Sequence, residues 1–317
     1  MLFRSQVSKA IKTPVKVVWT REDDIRGGYY RPAARHEISG GIDASGKPLF
    51  WDQQIVCQSF IVGSPFEAMM VVNGVDATAV EGSADLAYPI PNMKVNWNMA
   101  PSGVPTLWWR SVGHSHNAFV TETFIDELAK AAGKDPYQYR RALLDKHPRH
   151  KRVLEMAAEK AGWGKPLQAG RARGIAVHES FGSFVAYVAE VSVSKKGIVK
   201  VHKVVGAIDC GPTVNPDTIK AQIEGGIVFG LTAALYGEIT FEKGRVKQRN
   251  FNDYRMLRMN EMPQVEVHIV KSTEKMGGVG EPCVPAIAPA VANALFVLTG
   301  KRIHKLPFRP EDLKKDV

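Results

Sequence analysis

"VAYVAEVSVSKKGIVKVHKVVGAIDCGPTVNPDTIKAQIEGGIVFGLTAALYGEIT", Val185 to Thr240, decides the fold class, because the spacing of its apolar residues changes part-way along. Val185, Tyr187, Ala189, Val191 and Val193 alternate, as on one face of a strand. Lys195-Lys196-Gly197 reads as a turn and Ile198 to Asp209 as the returning strand. Asn215 then suits an N-cap and Pro216 a first helical position, which predicts a helix from Pro216 to about Tyr236. Further strands are expected at Glu238 to Phe241 and Gln264 to Lys271, and an alanine-rich helix from about Pro285 to Leu298.

Upstream, the chain to about Asn98 reads as rich in strands. Val15 to Thr20 suggests a strand entered almost at once, as if the chain begins inside a larger protein. His36 to Phe60 reads as two strands around a turn, and a third extended run follows the "YPIPN" segment. Three helices are expected next. The first carries Val120, Phe124, Leu128 and Ala131; the second starts at Asp135-Pro136; the third covers Val153 to Gly162. Gly164 to Gly174 reads as a linker, which divides the chain into residues 1–163 and 164–317. This irregular mixture of strands and helices places the fold in the α+β class, with mixed sheets and packed helices.

A chain of 317 residues supports a large core. Its 42 Lys and Arg exceed its 32 Asp and Glu, a net charge of +10, which suits an anionic partner or simply a basic surface. No nucleic-acid-binding motif is visible, and the basic run "KHPRHKR", Lys146 to Arg152, reads as a solvated linker. The 3 cysteines, Cys57, Cys210 and Cys283, form no C-x-x-C pair and make neither a disulfide framework nor an iron–sulfur set. The longest apolar stretch, Ala286 to Leu298, is too short to span a bilayer, and the N-terminal residues lack the apolar core of a signal peptide. P-loop and G-x-S-x-G patterns are absent.

Three stretches could carry chemistry. On the helix after Asn215, Gln222, Gly226, Phe229, Gly230 and Ala233 share a stripe. Its glycines cost helix stability, roughly 1 kcal/mol each, unless something packs against the backbone there. Gln222 is either bonded to nearby backbone or an amide facing a flat polar ligand. In "GGVGEPC", Gly277, Gly278 and Gly280 could bring amides against anionic oxygens, and Glu281 could serve as a base or be an ordinary helix-start glutamate. In "TLWWRSVGHSHNAF", Arg110 beside Ser111 and Gly113 suits a phosphate or polar ring, or a cation stacked on tryptophan. His114 and His116 form an H-x-H pair with no third metal ligand nearby, so no metal site is assigned to protein side chains.

Taken together and in this order, these stretches, with "VKVVWTREDDIRGGYYRPAARHEISGGID" ahead of them, resemble the molybdenum-binding large subunit of the molybdenum hydroxylases, the xanthine dehydrogenase and aldehyde oxidoreductase family. The isoquinoline 1-oxidoreductase beta-subunit branch, whose members are also described as membrane-bound aldehyde dehydrogenases, is most similar in pattern. The resemblance implies a molybdopterin-binding fold of that type. It implies Glu281 as catalytic base, and Arg110, Ser111, Gly113, Gln222 and the glycines 277, 278 and 280 as cofactor contacts. It further implies molybdopterin cytosine dinucleotide carrying molybdenum, which the pterin's own sulfurs hold, and [2Fe-2S] clusters on a small iron–sulfur partner subunit. The reaction implied is hydroxylation of an N-heterocycle or oxidation of an aldehyde, with water as oxygen source and a cytochrome c among the candidate electron acceptors. Two departures narrow it. "DATAVEGSADLAYPIPN" lacks the arginine of purine-oxidising members, and "WWRSVG" lacks the cysteine of carbon monoxide dehydrogenases. The resemblance places this chain in the C-terminal part of such a subunit, in the periplasm or the cytoplasm. The alternatives are a truncated, non-catalytic subunit and an unrelated nucleotide-binding module.

Overall fold

A computed structural model of the chain describes residues 2–314; Met1 and residues 315–317, the outer ends of the two expected subdomains, lie outside them. The centre is a four-stranded mixed sheet in the order Gln264–Ile269, Val199–Asp209, Ser183–Val193, Arg171–Ser180, with the first pair parallel and the others antiparallel. The alternating residues Val185, Tyr187, Ala189 and Val191 are fully buried on one face. Ala186 and Val188, between them, are buried as well and join a second core on the other face. The strand is therefore covered on both sides, which makes the molecule layered.

One layer consists of the helices Pro216–Leu235 and Ile287–Thr299, whose Ile223, Ile227, Ile287 and Val291 meet the Tyr187 face. The opposite layer holds the helices Pro136–Leu143 and Pro148–Lys160, with Leu143, Val153, Leu154 and Ala157 packed on Ile175, Val177 and Val188. The helix His114–Ala131 runs between them and contributes Phe119 to one core and Ile125 and Leu128 to the other. A second mixed sheet, Ala34–Ile42, Pro48–Cys57 and Asn92–Met99, flanks this body.

Most elements form where the sequence places them. Asn215 caps the long helix by accepting from the Asp217 and Thr218 amides, and Asp135 caps the Pro136 helix. Four expectations are corrected. Val15 to Thr20 is not a strand: it runs irregularly with Val18 and Trp19 exposed, after a helix Leu2–Ile11. It pairs with no strand, and Thr20 instead forms a capping box with Asp23 that starts the helix Arg21–Arg26. "KHPRHKR" is no solvated linker. His147 and Pro148 open a helix, and Arg149 pairs with the buried Asp209 at 2.8 Å. The linker stops at Gly170, since Arg171 begins a strand in which Gly174 lets the Ile287 helix approach so closely that a Cβ would overlap its backbone. Near Glu238, only Phe241–Glu242 is extended, in a two-residue ladder with Arg245–Val246.

Candidate active site

The "GGVGEPC" loop lies across the ends of the central strands. The Gly277 amide donates to the Cys210 carbonyl at 3.0 Å and the Gly278 amide to the Phe181 carbonyl at 2.9 Å. A Cβ at Gly277 would collide with the Gly182 carbonyl and the Ser183 hydroxyl. None of glycines 277, 278 and 280 has a positive φ, so the need for glycine at Gly277 is one of space and not of backbone angle. The amides of Gly277 and Gly278 are thus engaged in seating the loop. The Gly280 amide has no partner among the described residues.

Arg110 ties this loop to the long helix. Its Nε donates to the Gly280 carbonyl at 2.7 Å, and one terminal nitrogen reaches Gln222 Oε1 at 3.0 Å and Cys283 Sγ at 3.1 Å. Arg110 is not the cation stacked on tryptophan; Arg31 is, 4.8 Å over Trp109, while Trp109 stacks on Phe229 at 4.6 Å. The half-buried Gln222 side chain thereby meets an arginine, and no backbone group bonds it among the described residues. The two helical glycines of its stripe face the protein: Cβ atoms there would overlap Cys283 at Gly226 and Ile287 at Gly230.

Glu281 is half-buried in consecutive turns, five residues ahead of Ala286, the N-cap of the last helix. That helix starts at Ile287, later than the sequence suggests, so its dipole is not what holds the carboxylate. Ser111 holds it instead: the Ser111 amide donates to Glu281 Oε1 at 3.0 Å and the hydroxyl to the Glu281 carbonyl at 2.6 Å. Oε2 has no hydrogen-bond partner among the described residues. Ser111 and Val112 have φ of 76° and 49°. A β-branched residue in this region is rare, and such strain costs on the order of 1–3 kcal/mol per residue, so the surroundings must over-determine the turn. Gly113, next along, directs its amide away from Glu281, to Glu81 Oε1 at 2.7 Å.

Three residues were not singled out from sequence. Cys283 is buried against Arg110 and Gly226, and burial pushes its thiol pKa up. Tyr187 is fully buried and donates to the Cys283 carbonyl at 2.8 Å, fixing the turn after Glu281 to the central strand. Glu81 sits behind the Ser111–Gly113 turn, and burial raises its pKa to about 7 against the pull of the Gly113 and His114 amides. Cys283 is visible in "GEPC" and Tyr187 in the alternating strand; Glu81 has no local signal beyond an acid before a glycine. His114 and His116 lie in the first turn of their helix. His114 shares a 2.9 Å hydrogen bond with His178, and no group of three or more His, Cys, Asp or Glu among the described residues could hold a metal.

Two molybdopterin cofactor-binding domains match the chain, over residues 4–144 and 122–263. The chain belongs to the molybdenum hydroxylase family. It is 30% identical over 311 residues to the isoquinoline 1-oxidoreductase subunit beta of Brevundimonas diminuta, spanning 96% of this chain and 40% of that one. It is also 30% identical over 341 residues to a membrane-bound aldehyde dehydrogenase [pyrroloquinoline-quinone] of Gluconacetobacter polyoxogenes, spanning 99% of this chain and 44% of that protein. The chain thus spans less than half the length of both relatives. Among solved structures, quinoline 2-oxidoreductase from Pseudomonas putida 86 superposes with a TM-score of 0.82 at 13% identity, over 97% of this chain and 65% of that one, which shows the shared α+β fold.

The residues present fit a molybdopterin. Arg110, bonded to Gly280 and Gln222, the Gln222 side-chain amide and the unpartnered Gly280 amide bring donors from three segments together beside the turn that carries Glu281. Such a set suits a polar, anionic, planar group, and a metal held by the cofactor's own sulfurs asks for no protein ligands.

Proposed function

We propose that this chain forms the catalytic part of a molybdenum-dependent oxidoreductase that hydroxylates an N-heterocycle or oxidises an aldehyde, with water as oxygen source. The observation that carries the reading is the half-buried Glu281 carboxylate, fixed through one oxygen and the backbone by Ser111 and next to the Arg110–Gln222 pair. The two relatives supply the two substrate classes, an isoquinoline and an aldehyde.

When bound, the cofactor would carry the oxygen derived from water and would accept the two electrons of the oxidation. Arg110, Gln222 and the Gly280 amide would hold its polar edge. Glu281 takes a proton at Oε2. The Ser111 bond to Oε1 keeps the carboxylate from rotating and balances part of its charge, so the base is aimed before substrate arrives. The cytosine dinucleotide form of the cofactor belongs to this reading, supported by the family pattern and by a net charge of +10 that suits a pyrophosphate. So does a small subunit with [2Fe-2S] clusters, because all three cysteines here are buried singly; a cytochrome c is the proposed acceptor beyond it. Residues 1–163 and 164–317 are proposed as two subdomains of one body, with Ile125 and Leu154 of the first sharing a core with Ile175 and Val188 of the second.

The test uses the full-length subunit purified with its partner. Molybdenum is measured by elemental analysis, and dye reduction is followed with isoquinoline and, separately, with an aldehyde. Turnover of one class by molybdenum-loaded enzyme supports the reading; a fully loaded enzyme inert to both overturns it.

A further inference from the structure

The helix His114–Ala131 starts without a capping side chain of its own, because its N-cap is Gly113. A substitute comes from a distant segment: Glu81 Oε1 accepts the Gly113 amide at 2.7 Å, and its other oxygen lies 3.7 Å from His114 Nε2. The segment carrying Glu81 is locked to the same helix start. Asn117 donates to the Ala79 and Glu81 carbonyls at 3.0 and 2.8 Å, and Gly113 lies so close to the Thr78 carbonyl that a Cβ would overlap it. Two carboxylates therefore bind the amides of one short turn. Glu81 takes that of Gly113, and Glu281 takes that of Ser111. Between the two amides sit the left-handed Ser111 and Val112. A turn in that conformation keeps its shape only while both ends are held.

We propose that Glu81 is a positioning residue for Glu281: by capping the His114 helix from outside, it fixes the Ser111–Val112 turn from which the Glu281 carboxylate is suspended. The proposal rests on the reading of Glu281 as the base. What Glu81 supplies is an acceptor for an amide at a helix N-terminus, so an uncharged acceptor of the same length can replace it. Burial opposes its charge, and Asp85 and Asp76 oppose it further, in keeping with an acceptor whose role does not require full ionisation.

The experiment compares Glu81→Gln, Glu81→Leu and Glu81→Asp in the full-length, cofactor-loaded enzyme, by hydrogen–deuterium exchange over residues 110–114 and by steady-state kinetics. Glu81→Gln keeps an acceptor in place, and both exchange protection and kcat stay within about 2-fold of wild type. Glu81→Leu removes the acceptor, so exchange at Ser111 and Gly113 rises about 10-fold and kcat falls by a similar factor with KM little changed. If Glu81→Leu does not fold, Glu81→Asp carries the test: it keeps a carboxylate but withdraws it from Gly113, and the same two changes are expected in smaller measure. A Leu or Asp variant with unaltered exchange, or with a loosened turn and unaltered kcat, overturns the proposal, and so does a Gln variant as impaired as Leu. Glu281→Gln is assayed alongside; retention of turnover there condemns the base assignment, while the exchange measurement still reads the cap by itself.

Discussion

Ser111 grips Glu281 twice, through its amide to the carboxylate at 3.0 Å and through its hydroxyl to the carbonyl at 2.6 Å. A side chain anchored to the backbone of its own partner has little freedom left, and the unpartnered Oε2 is the oxygen free to accept a proton. Glu281→Gln is isosteric and still accepts from Ser111 through its carbonyl oxygen, yet an amide is no base at neutral pH. In the assembled enzyme this variant is expected to retain molybdenum and lose turnover by about 10²- to 10⁴-fold, the usual contribution of a positioned base. Elemental analysis beside single-turnover dye reduction checks it; near-normal turnover rejects the assignment.

Arg110 bonds to the Gly280 carbonyl, Gln222 Oε1 and the Cys283 thiol at once. Only a planar fork does this from one position. A lysine ammonium, with its compact head on a flexible stem, can satisfy one or two of these acceptors. Arg110→Lys should lower kcat about 10-fold or more and loosen cofactor retention, given about 1.5–3 kcal/mol for each hydrogen bond to a charged group. Molybdenum content after gel filtration separates the two effects. A lysine variant that keeps both rate and metal removes Arg110 from the site.

Adjacent glycines of the long helix should respond oppositely to alanine. At Gly226 a Cβ would overlap Cys283 Sγ and lie 2.6 Å from its Cβ, whereas at Gly225 nothing lies within 4 Å. Gly226→Ala is expected to destabilise by about 1–3 kcal/mol through overpacking. Gly225→Ala should stabilise by about 0.5–1 kcal/mol through helix propensity. Urea midpoints decide it. The double variant Gly226→Ala with Cys283→Ala should recover part of the loss, since it removes the Sγ overlap but leaves the Cys283 Cβ in place.

These glycines also show what could be read in advance. Their cost on a helical stripe announces a close neighbour, but spacing does not say whether that neighbour is a ligand or, as here, Cys283 of the preceding turn and Ile287 of the last helix. Asn215-Pro216 and Asp135-Pro136 marked helix starts correctly because capping is local chemistry. Val15 to Thr20 misled because a strand needs a partner edge, and six residues carry no information about one. Arg110, Gln222, Ser111 and Glu281 were legible only as candidates, each with an ordinary structural reading beside the functional one. The tie from Ser111 to Glu281, 170 residues apart, and the cap that Glu81 provides, 32 residues ahead of Gly113, depend on tertiary placement and left no trace in local pattern.

Acid should unfold this protein steeply, and buried histidines set the window. Burial lowers the pKa of His36 and His114 to about 4, of His116 and His150 to about 3, and that of His178 well below its ordinary 6.5. A depressed folded pKa means that the unfolded chain takes up the proton first, so stability present above pH 6.5 is lost as pH falls towards 4. Glu81 acts in the opposite sense: raised from 4.5 to about 7, it adds stability below pH 4.5 that is lost as pH rises through 7. These five histidines, joined by His202 and His268 whose pKa burial also lowers, outnumber Glu81 and Glu179, which burial raises, so unfolding takes up protons on balance between pH 6.5 and 4.5. The histidines therefore set the sign, and stability falls towards acid. Urea unfolding at half-unit steps from pH 7.5 to 5 should therefore show a stability that falls throughout. His178→Gln, which removes one of the five, should flatten the slope by about one proton. A profile level down to pH 5 would mean that these rings are wet and already charged in the fold.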